Sequence, residues 1–452
     1  MYDLVELEKR GIPTVDIVTD RFEHEAHIRA VGLGLSGLAT AVVPAEVSQA
    51  DRQGVNAIVD DAMQKIVYGL TRPTPASTMK RDNKPDVIEI KTKKGEDVLE
   101  VWYKYAMDKK WSDGFPLTPP TKERVQAMLK GTKRKPNELI AYVPPFFTKG
   151  TVEKIAINAV MAGAKPEYLD VIIAAVDAAS DPKVMLDGSA ATTDPGNAPL
   201  VVINGPIVKE LGLNYSWSVM GPGNRANSTI GRALSLCIRN IGGNDTPGGF
   251  QQHTYYLPAD YSMVLAQDYP KLDGNWDLMS VQLGFKAEQN VVFVMPTQGP
   301  ISISPFDSPT QPISGEGLLR NFADKLADLT LQGGGRGTGI VMFAPEHTRI
   351  LAKDGFTVAK TKEYLLGTGF SPKIYEEIMK NGFTTRGPRI KAKTMGLTRK
   401  LMWDPTVKYP IINGETADQD LFILVAGAPV GGHGAFIGKS SHGGWAAREI
   451  KR

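Results

Sequence analysis

The chain has 452 residues, 42% hydrophobic and 22% charged, the balance of an ordinary water-soluble globular protein long enough for two or three domains. A net charge of +3 is too small to argue for nucleic acid, and no apolar run reaches bilayer-spanning length. One cysteine excludes an internal disulfide framework, and the N-terminus lacks a signal peptide's basic-then-apolar order, so the expected location is the cytoplasm.

Residues 1–70 read as helix, strand, helix, strand, helix. Leu4, Val5 and Leu7 sit in an opening helix that stops at Gly11. Thr14–Val18 is a strand after Pro13, Arg21–Val31 is helical, Ala39–Val43 is a strand ended by Pro44, and Asp51–Leu70 is a long helix. Strands alternating with helices predict a small parallel-sheet, Rossmann-like domain. Such layers normally open on a strand whose loop to the first helix is functional. Here the helix begins almost at Met1, so the first strand is expected to be missing or to be supplied by another polypeptide.

The segments ELEKRGIPTVDIVTDRFEHEAH, AVVP and IVYGLT resemble the UGSC family of (seleno)proteins, and more distantly the selenoprotein B component of glycine, sarcosine and betaine reductases. The resemblance implies a redox-active cysteine or selenocysteine just upstream of the opening helix. Later stretches, among them DGFPLTPPTKERVQAML, VVINGPI and GPGNRANSTIGRA, resemble the large companion region of these proteins. The chalcogen motif itself is not in this chain. Cys237 lies on the apolar face of a predicted helix, where a core role is expected.

Residues 71–98 read as a linker with one edge strand, Val87–Ile90, and residues 99–452 as a large α/β region that can divide into two lobes. Asp97–Trp111 is an amphipathic helix. Asp113–Pro116 and Thr118–Pro120 form a rigid loop before the helix Lys122–Leu129; it is either a domain-entry turn or a pocket wall whose ionisable group is Asp113. Helices follow over Val152–Ala162 and Pro166–Ala178, with Lys154 and Asn158 on one face of the first. Asp187–Thr193 offers small hydroxyl-bearing side chains before a turn.

The stretch Leu200–Gly243 is the organising element. A buried strand, Leu200–Ile203, leads to the breaker cluster Gly221-Pro222-Gly223-Asn224 and then to a helix carrying Ile230, Leu234, Cys237 and Ile238, with Asn227 or Ser228 as its cap. A Gly-rich turn opening a helix suits an anion. Gly221, Gly223, Asn224, Arg225, Asn227 and Ser228 are therefore the candidate substrate-binding residues, with Arg232 adding charge; a plain capped turn explains the pattern equally.

His253 lies in a polar, irregular stretch and is a candidate proton carrier, while between Asn244 and Pro309 Val291–Met295 is the one clear strand and the rest reads as loop. Leu318–Leu331 is helical, and His347 follows the strand Ile340–Phe343 at the usual place for functional groups in α/β sheets. Residues 386–400 form a basic run, and Leu421–Ala426 is a last buried strand before a Gly-rich tail with His433, Lys439 and His442. Metal-ligand spacings, nucleotide loops and nucleophile elbows are missing, so neither a metal nor another cofactor is expected on this chain.

These readings favour the large subunit of an enzyme complex. As the resemblance implies, it would carry out thiol- or selenol-dependent chemistry on a small, anionic organic acid. The Cys or Sec would sit on a small partner subunit, and the large subunit is expected to self-associate. Catalytic candidates are His253, His347 and Asp113. A cofactor-free lyase or hydratase using His and Asp groups, and a non-catalytic scaffold subunit, are the other two possibilities.

Overall fold

The computed structural model describes residues 2–72, 87–186, 197–243, 262–267, 276–304, 314–331, 339–367, 421–430, 432–439 and 443–452. Asp187–Thr193, His253, the basic run 386–400 and His442 lie outside the described residues.

The chain opens with α1 (Tyr2–Lys9), β1 (Val15–Thr19), α2 (Glu23–Gly32), β2 (Ala39–Val43) and α3 (Arg52–Leu70). β1 and β2 pair in parallel, Val15 opposite Ala39, as the strand–helix–strand order requires. The Asp51 side chain caps α3 by accepting from the Gly54 N–H. Gly69 lets α3 lie directly on both strands. A Cβ there would come within 2.6 Å of Val15 Cγ2 and 2.7 Å of the Ala39 Cβ. The expected edge strand Val87–Ile90 is irregular instead; Val87 is 92% exposed, so its side chain has no surface to pack on.

Next come α4 (Val98–Asp108), α5 (Lys122–Leu129), β3 (Leu139–Val143), β4 (Thr148–Thr151), α6 (Val152–Met161), α7 (Leu169–Ala179), β5 (Ala198–Asn204), the short α8 (Ile207–Glu210) and α9 (Arg225–Asn240). They are followed by β6 (Val264–Gln267), α10 (Met279–Gln282), β7 (Val291–Ile303), α11 (Gly315–Leu331), β8 (Gly339–Phe343), α12 (Pro345–Lys353), α13 (Val358–Gly367), β9 (Leu421–Val425), β10 (Gly434–Lys439) and β11 (Ala446–Glu449). β3 and β4 form an antiparallel hairpin. The other strands build one mixed sheet in the order β6-β5-β7-β10-β8-β9, with β11 also on β7. The fold is thus α/β, with a small parallel pair and a larger mixed sheet.

Period-two alternation sorts the sheet's side chains. Val201 and Ile203 face the core built with α6, α7 and α9, whereas Leu200 and Val202 face the opposite side. On that opposite side Phe293 of β7 meets Phe422 of β9, ring centres 5.5 Å apart. Two strands separate β7 from β9 in the sheet, so the contact requires the sheet to curl around this core. α11, α12 and α13 cover the β8–β9 end through Leu318, Phe322, Val341, Phe343, Leu351 and Leu365. The free edge of β9 is closed by Gln282, whose amide donates to the Ile423 carbonyl (2.6 Å) and accepts from the Ile423 N–H (3.1 Å).

Candidate functional site

α9 starts earlier than its apolar pattern suggests. Its cap is Asn224, which accepts from the Asn227 N–H at 3.1 Å, rather than Asn227 or Ser228. The Asn224 amide also donates to the Gly212 carbonyl at 2.7 Å. Asn227 is buried and structural as well. It accepts from the Asn214 N–H (2.8 Å) and donates to the carbonyls of Asn214 (3.0 Å) and Val264 (3.3 Å). The Arg225 guanidinium turns away from the helix and donates to the Gly163 carbonyl through Nε (3.0 Å) and Nη2 (2.9 Å).

The other arginine of this helix is built into a cavity. Arg232 donates to Asp113 through Nε (2.7 Å to Oδ2) and Nη2 (2.8 Å to Oδ1), a two-pronged pair whose side chains are 17% and 8% exposed. Nη2 also reaches the carbonyls of Phe115 (3.3 Å) and Pro116 (3.1 Å). The loop Asp113–Pro116 is therefore tied to α9 by one guanidinium. Ser112 Oγ stiffens the loop from within, donating to the Phe115 carbonyl and accepting from the Gly114 N–H.

Between the loop and the helix lies a cavity of about 520 Å³, lined by Phe115, Pro116, Met220, Gly221, Pro222, Asn227, Ser228, Arg232, Ser262 and Val264. Ser228 and Arg232 stand one helical turn apart on the same wall. Gly231, on the neighbouring face, allows α9 to sit against β6; a Cβ there would lie 2.3 Å from Ser262 Oγ. Three of the expected residues, Gly221, Asn227 and Ser228, meet in this cavity. Gly223 and Asn224 line an adjoining hollow of about 620 Å³ with Lys209 and Trp217, and Pro222 forms part of both walls.

The wall holds three residues that sequence reasoning did not single out: Met220, Ser262 and Val264. Met220 carried the nearest thing to a signal, since it adjoins the Gly-Pro-Gly cluster; its φ of 65° and that of Ser218 (52°) mark a loop held in the left-handed region. Lys154 and Asn158 are occupied elsewhere. Lys154 Nζ donates to the Lys149 carbonyl (3.1 Å), and Asn158 accepts from Asn240 (2.8 Å). Lys439 Nζ donates to the Gly443 carbonyl (2.6 Å).

His347 is remote from this chemistry in environment. It is fully buried in the first turn of α12, its ring 5.9 Å from Phe322 and 6.1 Å from Phe343. Its Nδ1 accepts from the Ala344 N–H at 3.2 Å, which places the proton of the neutral ring on Nε2. Burial pushes its pKa down to about 4, against the opposing pull of Glu346 and the Gly432 backbone. Asp113 has both carboxylate oxygens taken by Arg232.

Cys237 is fully buried on the inner face of α9, and desolvation drives its thiol pKa far upward. A neutral core thiol is a poor nucleophile. We expect a thiol-specific disulfide reagent to react with the folded protein at least about a hundredfold more slowly than with the denatured chain, because access requires opening of the core. Equal rates would place Cys237 within reach of solvent.

Fold and site together define an α/β protein with a small-molecule-sized cavity whose wall carries a single arginine among mostly apolar groups. Residues 1–72 match the UGSC family, a span that ends before the loop and helix that form the cavity. Searches of curated proteins and of solved structures return no match. No helix among the described residues is long and apolar enough to cross a membrane, and no cluster of potential metal ligands occurs among them.

Proposed function

We propose that this protein is the large subunit of a cytoplasmic enzyme complex that binds a small organic acid in the cavity beside α9. A thiolate or selenolate from outside these 452 residues would act on the bound acid. The observation that carries the proposal is the Arg232 guanidinium, fixed by Asp113 at the wall of an otherwise largely apolar cavity. A guanidinium held this way orients a carboxylate without having to be ordered at binding. The UGSC match over residues 1–72 supports chalcogen chemistry, and the burial of Cys237 supports an external nucleophile.

In the step proposed, the thiolate lone pair forms a carbon–sulfur bond while the bond to the leaving group breaks. The leaving group departs with that bond's electron pair, and a thioether remains. A dithiol reductant must cleave this thioether by a two-electron reduction, itself becoming a disulfide, to free the nucleophile for another turnover. This chain's part is to hold the acid and to keep water from its apolar end. The acid–base reading draws less support from the geometry, since His347 lies in a core and Asp113 is committed to Arg232.

The test is native purification followed by intact-mass measurement of every chain, then assay of the chain alone and with its companions. Turnover that appears only with a cysteine- or selenocysteine-bearing chain, and that alkylation of that chain abolishes, is expected. Full activity from a homo-oligomer insensitive to alkylation would refute the proposal.

A further inference from the structure

We infer that the cavity beside α9 takes a monocarboxylate with a compact apolar body and discriminates against dicarboxylates. This rests on the reading that the cavity holds the organic acid. The argument starts from one nitrogen. Nε and Nη2 of Arg232 are spent on Asp113 and on the carbonyls of Phe115 and Pro116, and the guanidinium lies over the Phe115 ring, whereas Nη1 makes no hydrogen bond among the described residues. Asp113 leaves the pair formally neutral. The cavity therefore presents the positive end of a dipole rather than surplus charge, which suffices to orient one carboxylate.

Among the residues lining this cavity a second carboxylate would find no second cation. Phe115, Pro116, Met220, Pro222 and Val264 supply apolar surface, and the polar side chains of the lining other than Arg232 are neutral. Ser262 Oγ already donates to the Asn227 carbonyl (2.9 Å), and the Asn227 amide is committed to the backbone of Asn214 and Val264. Ser228, one turn before Arg232, can offer a hydroxyl but no charge. An ionised group desolvated among such neighbours is strongly disfavoured. The same apolar walls favour a branched or cyclic hydrocarbon body, and a volume of about 520 Å³ accommodates one.

The experiment is titration calorimetry on the full chain in its native assembly with three probes: 3-methylbutanoate, its amide, and glutarate. The monocarboxylate is expected to bind, with the amide and glutarate each about tenfold weaker or worse. Ser228→Phe, which fills the cavity and leaves the Arg232–Asp113 pair untouched, is expected to abolish binding with an unchanged circular dichroism spectrum. Arg232→Gln is expected to reduce the preference for acid over amide to less than about twofold. Glutarate binding as tightly as 3-methylbutanoate, and still blocked by Ser228→Phe, would overturn the selectivity while leaving an acid site in place. Equal binding of acid and amide would overturn the role of Arg232. If no probe binds, or if Ser228→Phe has no effect, both this inference and the assignment of the cavity fall.

Discussion

Replacing Asp113 by Ala should destabilise the protein by about 3 kcal/mol, one of the largest effects expected of a side chain near the cavity. The cost arises because the variant strands Arg232. The guanidinium is 17% exposed and would keep two backbone carbonyls while losing both carboxylate oxygens. An uncompensated, mostly buried charge is far less favourable than either the intact pair or no charge at all. Arg232→Met in the same background should therefore recover most of the loss, since its thioether chain fills similar volume and leaves nothing to solvate. Denaturant midpoints for the wild type, both single variants and the double variant form a cycle; a coupling energy of about 2 kcal/mol or more is expected. Coupling below about 0.5 kcal/mol would mean that the pair behaves as an ordinary surface ion pair. The guanidinium would then not be fixed firmly enough to orient a ligand.

The Asp113–Arg232 pair also shows where sequence reading stops. The two residues are 119 positions apart, and neither carries a local pattern that names the other. What could be read was the Gly221–Asn224 turn and the helix after it, because breaker residues followed by three- and four-residue apolar spacing are local signals. Choosing between the two arginines needed the register of that helix. Arg232 falls one turn beyond Ser228 on the cavity wall, whereas Arg225 leaves on a different heading toward Gly163. The cap was misplaced because Asn224, Asn227 and Ser228 are all competent cap residues, and only the Asn224-to-Asn227 hydrogen bond separates them.

In the fold, the apolar runs of β5, β8 and β9 were legible because strands buried on both faces need no alternation. The far half of β7 was not. Pro296, Gly299 and Pro300 read as loop, yet Pro296 stands opposite Pro199 on β5 and Pro300 opposite Ile437 on β10. The β3–β4 hairpin escaped because Thr148–Thr151 has no apolar run at all. His347 sits where α/β enzymes often place functional groups, but its surroundings come from Phe322, on a helix that nothing in the local sequence links to it.

That burial has a consequence for stability against pH. Between its ordinary value near 6.5 and its folded value of about 4, the His347 imidazole binds a proton in the unfolded chain and not in the folded one. Stability must therefore fall as pH falls through this window, by up to about 3 kcal/mol from this group, with no contribution to the slope above the unfolded pKa. The sign follows from desolvation outweighing the attraction of Glu346, with His433 adding repulsion in the same direction as burial. His347→Gln separates this titration from the hydrogen bond. Glutamine in the first turn can still accept from the Ala344 N–H, as it does in a capping box, but it does not ionise. Urea unfolding from pH 7 to pH 4 should show the wild type losing about 3 kcal/mol more than the variant, most of it below pH 6. Parallel profiles would mean that the ring takes up its proton in the folded state. In that case His347 would have a route to solvent and would return as a candidate for proton transfer.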